Sequence, residues 1–344
     1  MDYSRRLSDQ YTRQNPERFS VVEQRMFADD RVGDKDVEKY VRRSMMAVDP
    51  AYTQKTILAG EMVKDHLRQV LTNVSFEYQG SVMTDTHIKG ASDIDLLVLC
   101  DKFYGTEIDR VRQEISSYEK YSYQELARLN EYNRSFNLYQ GSGNEDLKQL
   151  RQQIEQSMSN IYSICDTSKA KAVSITNQNL HRDVDIVTSS WFQSLDYVLN
   201  GMPKNMLGIK IFNKELGYAE GPDYPFLSIY RINERSTKTN GRLKRMIRFL
   251  KNVRTDSDKE IDLTSFEINA ICYSIPVDYY QYSTYQELVR VLSCYMGDLS
   301  QNNRLDALES VVGGEYVFRG KPDKVEAFNL LIGEVNKIYN DLFN

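Results

Sequence analysis

Seven consecutive positions, Ile94-Asp95-Leu96-Leu97-Val98-Leu99-Cys100, are apolar apart from one aspartate. A run this short and this apolar reads as a β-strand covered on both faces, so the chain has to build a buried sheet and the structure to shield it. The sequence ahead of it is helical. From about Asp36 to Leu71 apolar residues recur at helical spacing (Val37, Tyr40, Val41, then Ile57, Met62, Val63, Leu67), with Pro50 as the one break. Val74, Phe76 and Tyr78 then alternate and run into Gly80-Ser81, which reads as a strand ending in a turn. Residues 109 to about 164 turn polar and form a helical insertion, with Leu147, Leu150, Ile154, Met158 and Ile161 marking an amphipathic helix after the loop Gly141-Ser142-Gly143-Asn144. Two further strands are predicted at Ala172–Thr176 and Val184–Val187. The stretch holding Gly201, Pro203, Gly221, Pro222 and Pro225 reads as loop, and from Gly241 onward the helical period dominates. No internal repeat or low-complexity tail interrupts this order.

With 344 residues the chain suits one large domain or two packed lobes. Lys and Arg number 44 against 49 Asp and Glu, a net charge of −5. Nothing in that balance calls for DNA or an anionic membrane, so a polyanionic ligand has to be met by a local patch. The four cysteines, Cys100, Cys165, Cys272 and Cys294, are scattered, with no Cys-x-x-Cys pair and no nearby His, which argues against a disulfide framework and a zinc set. The polar start and the lack of a spanning apolar segment predict a cytosolic protein.

Chemistry concentrates at the mouth of the apolar run. Asp93 and Asp95 are two apart on a strand, so they share a face at about 6.5 to 7 Å. Two carboxylates there repel and lose hydration unless a cation neutralises them, and Mg²⁺, or Mn²⁺ in its place, suits an all-oxygen donor set completed by water and phosphate. A second pair, Asp183 and Asp185, shares a strand face in His181-Arg182-Asp183-Val184-Asp185-Ile186-Val187, and periodicity does not choose between the two. One of them with Asp93 and Asp95 makes three carboxylates, enough for a two-metal site of phosphoryl or nucleotidyl transfer. Gly80 permits close backbone approach to an anion, and the Ser81 hydroxyl can bind a triphosphate. Farther on, Leu243, Met246, Ile247 and Leu250 form an apolar helical stripe with Lys244, Arg248 and Lys251 beside it, cations suited to the charge of a leaving pyrophosphate. A solvated helix face is the competing reading of that stripe.

Gly80-Ser81, a short spacer, Asp93-Ile94-Asp95 in an apolar strand and a later strand aspartate resemble the polymerase-beta-type nucleotidyltransferase superfamily. The fuller string, Gln79-Gly80-Ser81 through Thr86 to Ser92-Asp93-Ile94-Asp95, is most similar to the bacterial cGAS/DncV-like nucleotidyltransferases, over residues 35 to 275 or so. The resemblance implies a bilobal α/β (α+β) fold: a mixed β-sheet core with an N-terminal spine helix and a C-terminal helical lobe, divided at residues 1–230 and 231–344. It implies that Asp93 and Asp95 bind metal, that Ser81 holds the triphosphate, and that Asp185, with Asp183 as the alternative, is the third aspartate. It further matches Arg248 and Lys251 to donor-phosphate contacts, and Ser265 and Phe266 to a phosphate contact and a base-stacking aromatic. A phenylalanine stacks without the hydroxyl a tyrosine would add.

The implied activity is the joining of ribonucleoside triphosphates, with ATP the expected substrate, into a cyclic di- or trinucleotide. Its product would switch on a separate effector in bacterial antiphage signalling. A linear nucleotidyltransferase acting on RNA or a small molecule and a silent nucleotide-binding protein are the rivals. His66, His87 and His181 share no metal-ligand spacing, and a Walker-type loop is missing, against a P-loop NTPase. No Cys/His zinc insertion of the animal relatives is present, so double-stranded DNA sensing by that route is not expected. The 24 tyrosines are spread as packing residues rather than as an RNA platform.

Overall fold

The run Ile94–Cys100 forms the inner part of β2 (Ile94–Thr106), and its neighbours give the sheet its character. β1 (Val74–Gln79) lies antiparallel to it on one side, and β5 (Arg182–Gln193) lies parallel on the other. A parallel pair cannot be joined by a hairpin. The polar insertion makes the crossover, and it contains α4 (Ile108–Ile115), α5 (Tyr123–Ser135) and α6 (Gly143–Ile161), following α1 (Tyr3–Arg13), α2 (Asp36–Met45) and α3 (Pro50–Arg68). Within α6, Leu147, Leu150, Ile154 and Met158 are buried as their spacing predicts, whereas Ile161 at its end is exposed. The computed structural model describes residues 1–13, 35–90, 94–302 and 304–344.

The sheet runs β1-β2-β5-β4-β3, with β3 (Cys165–Asp166) and β4 (Ala172–Asn177) antiparallel on the far side of β5. Two strands occupy the stretch read as loop: β6 (Gly208–Asn213), paired with the second half of β5, and β7 (Tyr218–Asp223), paired with β6. Gly and Pro density hid them. β7 stands at an edge where Pro222 removes no needed ladder donor, and tertiary pairing overrode the local turn signals. The fold is thus mixed α/β, with a mixed sheet.

Two compact units divide the chain: residues Gln54–Gly80 with Asp93–Tyr230, which hold the sheet, and Met1–Thr53, Ser81–Ser92 and Arg231–Asn344, which are helical. The sheet unit ends at Tyr230, and the helical unit draws on residues 1–53 and 81–92 as well as 231–344. In the sheet unit, Leu96, Val98, Val184 and Ile186 face one way and are fully buried on the side of α3, where a Cβ on Gly60 would meet Tyr78 and Ile94. Asp95, Leu97 and Leu99 face the other way with Asp185 and Val187. In the helical unit, Tyr40, Val41 and Met45 of α2 pack into one core with α9 (Arg242–Thr255), α11 (Tyr285–Gln301) and α12 (Pro322–Phe343); α7 (Leu195–Leu199), α8 (Pro225–Lys238) and α10 (Ser265–Ser274) complete the helices used below.

Candidate active site

Parallel pairing of β2 with β5 sets Asp95 directly opposite Asp185. Neighbouring strands are about 4.8 Å apart, so two half-buried carboxylates stand side by side on one face. Their mutual repulsion needs a compensating cation. Part of it is present: Lys169 Nζ lies 3.3 and 3.5 Å from the two Asp185 carboxylate oxygens. Ser174, paired with Asp185 across β4, donates its hydroxyl to the same carboxylate. Asp183, two residues earlier on that face, is exposed and accepts the Thr176 hydroxyl at 2.5 Å. Asp93 and Ser92 lie outside the described residues.

Gly80 follows Gln79, the residue of β1 that pairs with Asp95. Its φ is +85°, a left-handed conformation, and a Cβ there would overlap the Asp95 carboxylate. The glycine therefore provides both the turn and the space. Among the described residues no group of three His, Cys, Asp or Glu side chains gathers. Asp95 and Asp185 nevertheless fit a hard divalent cation: both donors are oxygens, they share one sheet face, and Gly80 keeps side-chain atoms out of the space beside them.

The remaining sequence-predicted residues belong to the helical unit. Ser81 begins a tight turn in which its carbonyl accepts the Thr86 N–H at 2.9 Å and the Thr84 hydroxyl at 3.2 Å. Arg248 and Lys251 of α9 are buried, 6 % and 2 % exposed, because this helix packs on almost every side. Arg248 directs Nε to the Met45 carbonyl at 3.0 Å and Nη1 to the Asp85 carbonyl at 2.6 Å. Burial lowers its pKa, with Asp85 opposing the shift. Lys244, one turn earlier, is half-buried; desolvation lowers its pKa, the Asp85 charge works against that, and Arg248 adds to it. No described residue gives Lys244 a hydrogen bond or ion pair. Ser265 and Phe266 open α10, where Thr264 and Glu267 form a reciprocal capping box. Phe266 is 37 % exposed, an aromatic with a face available for stacking.

Ser174 and Lys169 escaped the sequence reading as neighbours of Asp185 in the sheet unit, and Asp85 and His87 as neighbours of Arg248 in the helical unit. His87 is 1 % exposed, takes part in a 2.9 Å hydrogen bond between Nε2 and the Thr53 hydroxyl, and has no partner for Nδ1 among the described residues. Burial pushes its pKa down to about 4, helped by Lys251 and Arg248 and opposed by Asp85. Strand alternation alone could have paired Ser174 with Asp185; the other three depend on tertiary packing.

A mixed sheet carrying paired strand aspartates beside a glycine turn is the arrangement the resemblance to nucleotidyltransferases leads one to expect. Residues 230–340 match the family model described as the cGAS/DncV-like nucleotidyltransferase C-terminal helical domain. A c-di-GMP synthase of Lachnospiraceae bacterium (strain RUG226) is 62% identical over 341 residues, covering 99% of both chains. The solved structure of a STING-associated CdnE c-di-GMP synthase from Capnocytophaga granulosa superposes with a TM-score of 0.81 at 40% identity, covering 99% of each chain. That of a STING-associated CdnE c-di-GMP synthase from Flavobacteriaceae sp. gives 0.88 at 33% identity, covering 99% of this chain and 98% of the other. The chain belongs to the cGAS/DncV-like nucleotidyltransferase family and is a cyclic-oligonucleotide-forming nucleotidyltransferase.

Proposed function

We propose that this protein condenses two molecules of GTP into cyclic di-GMP. The 62% and 43% identities to c-di-GMP synthases, each over nearly the whole chain, favour guanine over the adenine expected from sequence. The observation that carries the chemistry is the register of Asp95 with Asp185 next to Gly80.

Asp95 and Asp185, with Asp93, are the residues that would hold Mg²⁺ or Mn²⁺. When bound, the metal activates a hydroxyl nucleophile and stabilises charge on the leaving oxygen. The protein's own part is positional. Ser174 and Lys169 fix the position of the Asp185 carboxylate at the sheet face. Gly80 leaves room for the reacting groups, and the Ser81 hydroxyl and turn amides bind the triphosphate. Lys244, the cation of α9 with no described protein partner, supplies positive charge to the phosphates, and Phe266 stacks on a base. Each condensation forms a bond from a ribose oxygen to an α-phosphorus and breaks that phosphorus's bond to pyrophosphate. Ring closure repeats the exchange, so two pyrophosphates leave for each cyclic product.

The product would act on a separate cyclic-dinucleotide-responsive effector in the cytoplasm, in antiphage signalling. The STING association of the solved relatives supports the effector. The test is incubation with each NTP alone and in pairs, with Mg²⁺ or Mn²⁺, followed by mass analysis of phosphatase-resistant product. GTP alone should suffice. Asp95→Asn and Asp185→Asn should each lower turnover at least ~10³-fold while keeping the wild-type melting transition. A wild-type product requiring ATP would overturn the base assignment, and unchanged turnover in both variants would overturn the site.

A further inference from the structure

The nucleotide-binding turn after Gly80 is built as an internal part of the helical unit. Val82, Thr84, Thr86, His87 and Ile88 are each at most 6 % exposed. Asp85 interrupts them with φ +52°, a left-handed conformation unusual outside glycine. This geometry turns its carbonyl out of the local hydrogen bonding, where Arg248 Nη1 donates to it at 2.6 Å; the Asp85 carboxylate is farther, at 3.5 Å. The same guanidinium donates through Nε to the carbonyl of Met45, the last residue of α2, whose carbonyl has no partner within its own helix. One side chain thus joins two backbone segments 40 residues apart in sequence (85 − 45).

From Asp85 the linkage runs back to Ser81. The Asp85 N–H donates to the Val82 carbonyl at 3.2 Å, while Thr86 N–H and Thr84 Oγ1 both donate to the carbonyl of Ser81. Asn233 Nδ2 adds a longer contact to the Met83 carbonyl, 3.4 Å. We propose that Arg248 is a positioning residue: through Nε and Nη1 it holds the Ser81 turn in shape by way of the Asp85 backbone carbonyl. The proposal rests on the GTP-condensing reading above for its kinetic readout, but not for its structural one.

A planar guanidinium with fixed donor directions spans two carbonyls; a lysine ammonium is a point charge that reaches one. Arg248→Lys and Arg248→Met should therefore fail alike, each raising KM for GTP roughly tenfold with a smaller change in kcat. Hydrogen–deuterium exchange at residues 82–88 should accelerate at least tenfold in both, without nucleotide present. Asp85→Val should reproduce the lesion, since a β-branched residue does not sit at that φ. Asp85→Asn should give a milder one, because the acceptor is the backbone and Asn tolerates the conformation.

Near-wild-type KM in Arg248→Lys, with loss only in Arg248→Met, would mark a phosphate contact and overturn the proposal. So would unchanged exchange at 82–88, a lowered melting temperature with KM and kcat per folded molecule intact, or Asp85→Asn as damaging as Asp85→Val. If the wild type makes nothing from GTP, the functional reading falls alone, and exchange still decides the clamp. If the arginine variants do not fold, the two Asp85 variants decide it by exchange.

Discussion

At residue scale the tightest constraint is on Gly80, where a positive φ and the Asp95 carboxylate leave no volume for a methyl group. Gly80→Ala should displace Asp95 and lower kcat at least ~100-fold, with about 1–2 kcal/mol of destabilisation from the backbone alone. Steady-state kinetics beside a melting curve separates the two effects; unchanged kcat with lowered stability would remove Gly80 from the chemistry. His87 is constrained by charge. It is buried neutral, with Lys251 and Arg248 disfavouring protonation and Asp85 favouring it. Its pKa is depressed on folding, so between the ordinary value near 6.5 and about 4 the unfolded chain binds a proton that the folded chain refuses. Stability should therefore fall as pH drops through that window, by up to about 3 kcal/mol from this residue. His87→Gln should flatten that acid limb relative to wild type in denaturation curves at pH 7 and 4.5; parallel curves would refute the assignment. That Asp183 and Asp185 share a strand face was legible in sequence because alternation fixes which face a strand residue takes, and Gly80 because its neighbours signalled a turn, whereas the register that sets Asp95 opposite Asp185 was not. His87 was not, since the charges that disfavour its protonation, Lys251 and Arg248, lie 164 and 161 positions farther along the chain (251 − 87 and 248 − 87).

At the scale of elements, α10 shows how a local signal places a candidate site residue. Thr264 caps the helix: its hydroxyl accepts the Phe266 N–H at 3.2 Å, while its own N–H donates to Glu267 at 2.6 Å. Thr264→Ala should cost about 1 kcal/mol and fray the turn that presents Ser265 and Phe266. If those two contact nucleotide, KM for GTP should rise several-fold while Asp95-dependent chemistry in saturated enzyme is retained; a drop in kcat alone would speak against that role. The capping residues stood in the sequence as Thr-x-x-Glu, and so did the apolar stripe of α9. The depth at which Arg248 and Lys251 lie did not. Periodicity reports one buried face, but α9 is enclosed by α2, α10, α11 and α12, so positions beside the stripe are buried too. The strands β6 and β7 were lost for the opposite reason: Ile209 and Phe212 gave too short an alternation to outweigh the surrounding Gly and Pro.

For the whole molecule, the decisive point is that the helical unit recruits sequence from three places. Its core takes Tyr3, Val37, Tyr40, Val41 and Met45 from the first 53 residues, and the unit also takes in the buried turn after Gly80 from the middle. A reading along the chain cuts at residue 231, between the Gly/Pro-rich stretch and the helical period, because linear sequence does not report which earlier helix fills a later core. The energetic consequence is large. Tyr40, Val41 and Met45 are at most 1 % exposed, and each buried side chain of this kind is worth about 1.5–3 kcal/mol. Their combined loss rivals the 5–15 kcal/mol by which a domain is ordinarily stable. A fragment of residues 231–344 should therefore lack a cooperative thermal transition and bind a hydrophobic dye, since α9, α11 and α12 would expose the surface that α2 covers. Joining residues 1–53 to 231–344 through a flexible linker should recover a cooperative transition and reduce dye binding. A cooperative, dye-silent fragment 231–344 would show that the N-terminal helices dock onto an already stable core, and the energetic argument for a composite unit would fail.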